Sequence, residues 1–208
     1  MKKLSLFSLF IFVLALGCSD DSNSPNNNSK ELMPLKIGNS WVYNYTYYDG
    51  FAEHSGKVTS TVISDEMYNG EKYYRIETLN HINNQKKISP IYSINKTDGL
   101  YMLYFEDNDE LHTDFLKYPV SEGEIFQSNE SSKLYVEKVD TLISTSAGKF
   151  NCIKYIKKII FDGKEIDISI MYYCPGIGRI AGEYFLMSDE TRNPVFLYKS
   201  ELVSYNLK

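Results

Sequence analysis

The stretch FNCIKYIKKIIFDGKEIDISIMYYC, residues 150–174, decides the fold, because its pattern predicts two β-strands joined by a tight turn. Asp162-Gly163 is a dipeptide that favours the two-residue turn of β-hairpins. A two-residue loop there sets Ile153 opposite Tyr172 and places apolar side chains of both strands on one face. Turn chemistry and side-chain alternation therefore predict the same strand register.

Two cysteines, Cys152 and Cys174, flank this hairpin. The simple register sets Cys152 opposite Tyr173 and Cys174 opposite Asn151, so the two thiols point to opposite faces. Disulfide geometry is narrow, so a bridge needs the two cysteines directly opposite each other. That opposition requires a three-residue loop or a bulge. Cys152 and Cys174 are thus a candidate disulfide, and two small buried residues are the alternative. Neither a CxxC spacing nor a nearby histidine supports a zinc site.

Strand patterns continue on both sides of the hairpin. Trp41, Tyr43, Tyr45 and Tyr47 alternate on one face of a strand, and Asn69-Gly70 is a second turn dipeptide. Strands are predicted over 41–48, 57–63, 72–79, 88–94, 100–105, 111–117, 133–144, 150–161, 165–174, 179–187 and 194–205. Helix is limited to a turn or two near 31–35 or 120–126.

Strands at this spacing predict an all-β fold. The expected architecture is a single antiparallel curved sheet, as a half-barrel or a barrel or sandwich, with little helix. Residues 33–208 carry no second linker, so they form a single β-rich domain. Aromatic residues make up 14% of the chain, and 18 of them are tyrosines, which suit a pleated, half-buried surface.

The N-terminus carries a lipoprotein signal. Lys2 and Lys3 precede an apolar run over 4–16 that is too short to span a bilayer as a helix. The run ends in LALGC, residues 14–18, which is similar to the bacterial lipobox. Residues 1–17 are therefore predicted to be a signal peptide, and Cys18 the lipidated first residue of the mature chain, anchored by acyl chains such as palmitate.

Residues 18–32 are polar and without periodicity, which predicts a disordered tether between the membrane and the domain. The expected location is the outer membrane of a bacterial envelope. The acidic Ser19-Asp20-Asp21 resembles a surface-export signal, so surface exposure is favoured, with an ordinary acidic tether as the alternative. Loss of Lys2 and Lys3 leaves 20 basic and 27 acidic residues, a charge of −7, which argues against nucleic acid as a partner.

Four segments are distinctive: LKIGNSWVY (35–43), NGEKYY (69–74), AGKFNC (147–152) and YYCPGIGRI (172–180). Together they resemble an uncharacterised family of Bacteroidetes-type envelope lipoproteins. The resemblance implies a curved antiparallel sheet related to the half-barrels of lipoprotein-carrier proteins, and it carries over no catalytic residue. From the residues alone, Pro175 to Gly178 forms a turn between strands, because glycine accepts positive φ.

No motif predicts catalysis, a metal or a cofactor. His54, His81 and His112 are scattered, without ligand or triad spacing. The acidic run at 106–110 lacks the glycine and distal glutamate of an EF-hand loop, so a solvated hairpin tip is expected there. We therefore assign no catalytic residue, no metal ligand and no cofactor, and we favour a protein that is not an enzyme.

The leading functional prediction is a non-catalytic binding or assembly module on the envelope. A lipid-carrier-like half-barrel that binds an acyl ligand, or a hydrolase acting on glycan or lipid, is the alternative. Tyrosines on a concave sheet could stack on sugars or line an apolar cavity, although ordinary sheet packing also explains them. The expected partners are the bilayer, through the acyl anchor, and a glycan, lipid or protein of the envelope.

Overall fold

The computed structural model describes residues 29–82, 86–105, 111–188 and 193–208, which form one twelve-stranded sheet. The strands are β1 (Ser40–Tyr48), β2 (Glu53–Tyr68), β3 (Glu71–Asn80), β4 (Lys86–Lys96), β5 (Gly99–Phe105), β6 (Leu111–Lys117), β7 (Ile125–Ser128), β8 (Ser132–Thr145), β9 (Gly148–Phe161), β10 (Lys164–Cys174), β11 (Gly178–Met187) and β12 (Pro194–Asn206). The described part of the chain has no helix long and apolar enough to cross a membrane.

All strand pairs are antiparallel, and β1 pairs with both β2 and β12. The order is therefore β6-β5-β4-β3-β2-β1-β12-β11-β10-β9-β8-β7, which leaves β6 and β7 at the edges. The sheet curls until these edges meet: the Phe115 and Phe126 ring centroids are 5.8 Å apart, and Lys117 pairs with Glu124. This nearly closed barrel confirms the predicted all-β, antiparallel, curved architecture.

The two hairpin dipeptides adopt the backbone that the sequence predicted. Asn69 and Gly70 have φ of 51° and 80°, and Asp162 and Gly163 have φ of 48° and 72°. Left-handed φ at both central residues matches the twist of the flanking strands, which is why asparagine, aspartate and glycine are preferred there. Local turn chemistry thus positions both hairpins.

The prediction of a helical turn near 120–126 is wrong. Ile125–Ser128 is a short strand, and Ile125 pairs with Tyr135 of β8. The ring of Phe126 packs edge-on against Tyr155, with 5.9 Å between the centroids, so tertiary packing selects the strand. Residues 31–35 are not helical either.

The β9–β10 hairpin keeps the predicted register only for the four pairs next to its turn. A bulge at Ile168 then moves the register by one residue, so Ile153 lies opposite Tyr173 and not Tyr172. The predicted pairing of Ile153 with Tyr172 is therefore wrong. A one-residue shift exchanges the two faces of a strand, and Ser169 is accordingly buried on the concave side.

The core fills one end of the concave face. Its fully buried side chains come from strands on both halves of the sheet and include Trp41, Val62, Leu100, Tyr155 and Leu202. The indole nitrogen of Trp41 donates a 2.7 Å hydrogen bond to the carbonyl of Ile177 in the β10–β11 turn. This bond fixes the first strand to the turn that the sequence placed at 175–178.

The polypeptide before β1 lies against the same end of the sheet. Leu32 is 1% exposed, the Tyr118 hydroxyl donates to the Ser29 carbonyl at 2.6 Å, and the Gly176 amide donates to the Glu31 carbonyl at 2.9 Å. We call this the tether end. Residues 29–32 of the predicted tether thus contact the domain, whereas residues 18–28 lie outside the described residues.

The glycines of the β10–β11 turn have specific roles. Gly176 and Gly178 have φ of 78° and 105°, as the sequence predicted for this turn. A Cβ at Gly178 would lie 3.1 Å from Cγ of Met33 and 3.6 Å from the Trp41 indole nitrogen. Glycine is therefore needed both for its backbone conformation and for the close approach of the core.

Candidate functional site

Five tyrosines surround Arg179 on the concave face. They are Tyr43 and Tyr45 of β1, Tyr173 of β10, Tyr184 of β11 and Tyr198 of β12, and we call them the tyrosine cluster. Strand register explains how residues so distant in sequence come together.

Sheet pairing brings the tyrosines onto one face. Tyr198 lies opposite Tyr184 on β11, and Tyr45 lies opposite Ser200 on β12. The rings of Tyr45 and Tyr198 stack with 5.2 Å between centroids, and those of Tyr184 and Tyr198 with 4.3 Å. The concave face therefore presents a row of three stacked rings beside Arg179.

A second bulge places Arg179 in this row. Between β10 and β11 the pairing steps from Tyr172 opposite Ala181 to Tyr173 opposite Arg179, which leaves Ile180 as the extra residue. In a regular ladder Arg179 would follow the face of Tyr172. Because of the bulge, Arg179 shares the face of Tyr173 and joins the tyrosine cluster.

Arg179 has no acidic partner among the residues that the structure describes. Its guanidinium carbon lies 5.0 Å from the Tyr43 ring centroid, a cation–π contact worth about 0.5–2 kcal/mol. The other described arginine, Arg75, pairs with Glu77 at 3.0 Å and with Glu66 at 3.7 Å. Arg179 and Arg75 are both half-buried, but of the two only Arg75 is paired with carboxylates of the described residues.

The electrostatics keep the guanidinium charged and the phenols protonated. Burial lowers the pKa of Arg179, but the surrounding tyrosines raise it by more, so the net pKa is above its usual range. Burial raises the pKa of Tyr43 and Tyr198, and it raises the pKa of Tyr45 to about 12. At neutral pH the site therefore holds one positive charge beside hydroxyl groups that can donate hydrogen bonds.

Two buried serines add hydroxyl groups to the same face. Ser200 is 2% exposed and lies opposite Tyr45, and Ser169 is 4% exposed and lies opposite Tyr184. Neither hydroxyl has a hydrogen-bond partner within the described ranges. An unpaired buried hydroxyl costs about 1–3 kcal/mol. These two hydroxyls therefore favour a binding site in which polar atoms of a ligand supply the hydrogen bonds.

The arrangement suits the binding of an organic anion. A guanidinium binds a carboxylate through two parallel hydrogen bonds, and ring faces accept the apolar body of a ligand. The tyrosine cluster itself contains neither histidine nor carboxylate, and burial and, to a smaller extent, the charge of Asp114 on β6 raise the pKa of its member Tyr173. No group of three or more potential metal ligands occurs in the part of the chain that the structure describes.

The structure places the residues that the sequence singled out as follows. Cys152 and Cys174 are free, buried thiols at the tether end of the hairpin. His54 pairs with Asp49 at 2.8 Å near the β1–β2 loop, on the rim of the sheet. Cys18 and the acidic run at 106–110 lie outside the described residues.

Sequence reasoning named the tyrosines of β1 but missed Arg179. The available signal was an arginine that directly follows a glycine-rich turn. It stands at the start of the strand that also carries Tyr184. That signal does not give the face of Arg179, because its face depends on the bulge at Ile180.

We expect the domain to lose stability as the pH rises from about 10 to about 12. Unfolded tyrosine ionises near pH 10, whereas the folded pKa of Tyr45 is raised to about 12. Between these values the folded chain binds more protons than the unfolded chain, so the free energy of unfolding falls with rising pH. Urea midpoints at about pH 9 and about pH 11 measure the fall. Tyr43 and Tyr198, whose pKa values are also raised, contribute to the same fall, so Tyr45→Phe should reduce the fall and not abolish it. An equal fall in Tyr45→Phe would contradict a contribution from Tyr45.

No family model and no curated protein matches the chain. Two solved structures are similar in fold. One, provisionally described as a lipoprotein, is from Parabacteroides distasonis: it is 14% identical, has a TM-score of 0.51, and the match covers 86% of this chain and 100% of that chain. The other, provisionally described as an exported protein with a YmcC-like fold, is from Bacteroides fragilis: it is 15% identical, has a TM-score of 0.49, and the match covers 84% and 98%.

The Parabacteroides structure shows that the curved all-β architecture occurs in a second chain over its full length. The descriptions of the two similar structures name no ligand or reaction. The function of this chain is therefore argued from Arg179 and the tyrosine cluster.

Proposed function

We propose that the protein is a membrane-anchored, non-catalytic lipoprotein of the bacterial envelope that binds an organic carboxylate at Arg179. The observation that carries this proposal is the guanidinium of Arg179, which lies inside five tyrosines without an acidic partner among the described residues. A ligand carboxylate supplies the missing negative charge. The unpartnered hydroxyls of Ser169 and Ser200 lie on the same face.

The charge of the site favours a carboxylate over a phosphate. A single guanidinium balances one negative charge, and the hydroxyl groups of the tyrosine cluster are neutral. The carboxylate of Asp114, which adds to the effect of burial in raising the pKa of Tyr173, adds no positive charge. A phosphate monoester carries a charge of nearly −2 at neutral pH and is ordinarily met by several cationic or backbone N–H donors. The stacked rings of Tyr45, Tyr184 and Tyr198 then accommodate the uncharged part of the ligand.

The position of the predicted anchor is compatible with this role. The core is packed at the tether end, where Trp41 and Leu32 are almost fully buried, whereas Tyr45, Tyr184 and Tyr198 remain partly exposed. We therefore expect a ligand to reach the tyrosine cluster from the end away from the tether. A lipid on Cys18 would hold the tether end near the bilayer and leave this access free.

Two carboxylates test the proposal and separate two sources of ligand. Laurate presents an acyl chain, and galacturonate presents a sugar ring that can stack on tyrosine. We expect one of them to bind in isothermal titration calorimetry. Arg179→Gln should weaken that binding about 10- to 100-fold, the effect of losing a charge-assisted pair worth about 1.5–3 kcal/mol.

Arg75→Gln is the matched control, because Arg75 is already paired with Glu66 and Glu77. This substitution should leave binding unchanged. The methyl ester of the binding carboxylate should bind at least ten-fold more weakly. Absence of binding by both carboxylates, or unchanged affinity in Arg179→Gln, would contradict the proposal. Turnover of an ester or glycoside would overturn its non-catalytic part.

A further inference from the structure

Two buried cysteines, Cys152 and Cys174, lie at the tether end of the β9–β10 hairpin. The last pair of the ladder is Ile153 opposite Tyr173, and the bulge at Ile168 sets this register. Continuing the same register by one residue brings Cys152 opposite Cys174. Both side chains are 0% exposed, and the extended register places them on the same face of the hairpin.

The spacing of opposed residues suits a disulfide. Opposed residues in an antiparallel pair have Cβ atoms about 4.5–5.5 Å apart, and disulfides span about 3.5–4.5 Å, so a small adjustment closes the bond. The present contacts of the thiols are weak: Cys152 Sγ lies 3.6 Å from the Phe150 carbonyl, and Cys174 Sγ lies 3.8 Å from the Pro175 carbonyl. No strong hydrogen bond competes with a bridge.

We propose that Cys152 and Cys174 form a structural disulfide in the mature protein. The two thiols lose two protons and two electrons, the S–S bond forms, and a disulfide-bearing oxidant of the envelope is reduced to two thiols. The oxidising compartment follows from the proposed export of the chain, on which this inference rests. The bond would hold the bulged register beside Tyr173 and the turn that precedes Arg179.

The bridge forms before the hairpin is buried. Burial raises the pKa of both thiols, that of Cys174 to about 12, so the folded protein contains almost no reactive thiolate. Once formed, the bond is equally protected from reductants in solution. Oxidation is therefore expected during folding, and reduction only after unfolding.

Peptide mapping without reductant tests the bridge directly. The full-length protein is purified from envelopes, unfolded in denaturant with an alkylating agent, and digested. We expect the peptides that contain Cys152 and Cys174 to be joined and lighter by two hydrogen atoms than the separate thiol peptides. Recovery of both residues as alkylated thiols would overturn the proposal.

A refolding experiment separates this inference from the proposed location. The full chain carrying Cys18→Ser is refolded with oxidised and reduced glutathione, which supplies the oxidant whether or not the protein is exported in cells. The joined peptides are expected again. If they form on refolding but the cellular protein remains in the cytosol with free thiols, export is wrong and the geometric pairing stands; free thiols in both preparations would contradict the pairing.

Thermal unfolding distinguishes a bond from two well-packed thiols. Unfolding and refolding the wild type with reductant should lower its Tm by about 5–10 °C, because a closed loop of this size restricts the unfolded chain. The double variant Cys152→Ala/Cys174→Ala should have the same Tm with and without reductant. Identical Tm values for the wild type under both conditions would contradict a bridge.

Discussion

Replacing Trp41 by alanine is expected to lower the free energy of unfolding by about 3–5 kcal/mol, the usual cost of removing a large buried aromatic ring. Trp41 is the single tryptophan of the chain and is 0% exposed. The substitution also leaves the carbonyl of Ile177 without the indole donor that now lies 2.7 Å away. Both losses fall at the tether end, where β1 meets the β10–β11 turn.

Urea denaturation monitored by circular dichroism measures this effect, because the signal does not depend on the tryptophan. Trp41→Phe is the matched control, because it keeps most of the apolar volume and removes the indole N–H. It should cost less than half as much as Trp41→Ala. A loss below about 1 kcal/mol for Trp41→Ala would show that this end of the sheet is not the core of the fold.

Replacing Cys18 by serine is expected to transfer essentially all of the protein from the membrane fraction to the soluble fraction. Two or three acyl chains on one residue give nearly permanent attachment, since each buried CH₂ contributes about 0.8 kcal/mol. Serine cannot accept the thioether-linked lipid. The domain should remain folded, because the tyrosine cluster and the core lie in residues far from this position in sequence.

Carbonate-washed membranes and immunoblotting measure the distribution, and circular dichroism of the released protein checks the fold. Ser19→Ala provides a control that alters the neighbouring residue and keeps the cysteine. Persistent membrane attachment of the Cys18→Ser variant would contradict the prediction that Cys18 carries the anchor. Release together with unfolding would show that the lipid supports the domain as well as its location.

Local sequence signals predicted most of the strands. Asn69-Gly70 and Asp162-Gly163 adopt the backbone that their turns require, and the alternation of Trp41 and Tyr43 correctly predicted a buried face. Short-range signals suffice here because hairpin turns and two-residue periodicity are properties of neighbouring residues. The short edge strand at Ile125–Ser128 was missed, because four residues carry too little periodicity.

The bulges could not be predicted in the same way. Ile168 and Ile180 have ordinary β-branched side chains, and nothing next to them in the sequence marks an extra residue in the ladder. Each bulge nevertheless changes which residues share a face. The first sets the register that, extended by one residue, brings Cys152 opposite Cys174. The second places Arg179 opposite Tyr173 on the concave side.

The candidate site depends on those bulges, which is why only part of it could be predicted from local patterns. Tyr43 and Tyr45 could be assigned to one face from β1 alone. Tyr198 shares their face only because β1 pairs with β12, the last strand of the chain. This pairing joins the two halves of the sheet. Whether an acidic side chain lies beside Arg179 depends on the positions of all neighbouring strands, which the sequence does not give.

The central claim, an anion-binding Arg179, is tested most directly by NMR of the arginine side chains. The chain has three arginines, Arg75, Arg179 and Arg192, so the Nε–Hε spectrum is simple, and Arg179→Lys assigns the relevant resonance. Titration with laurate or galacturonate should shift the Arg179 resonance to saturation and leave that of Arg75 unchanged. An Arg179 resonance that does not respond to either carboxylate, or that shifts no more than Arg75, would contradict the account.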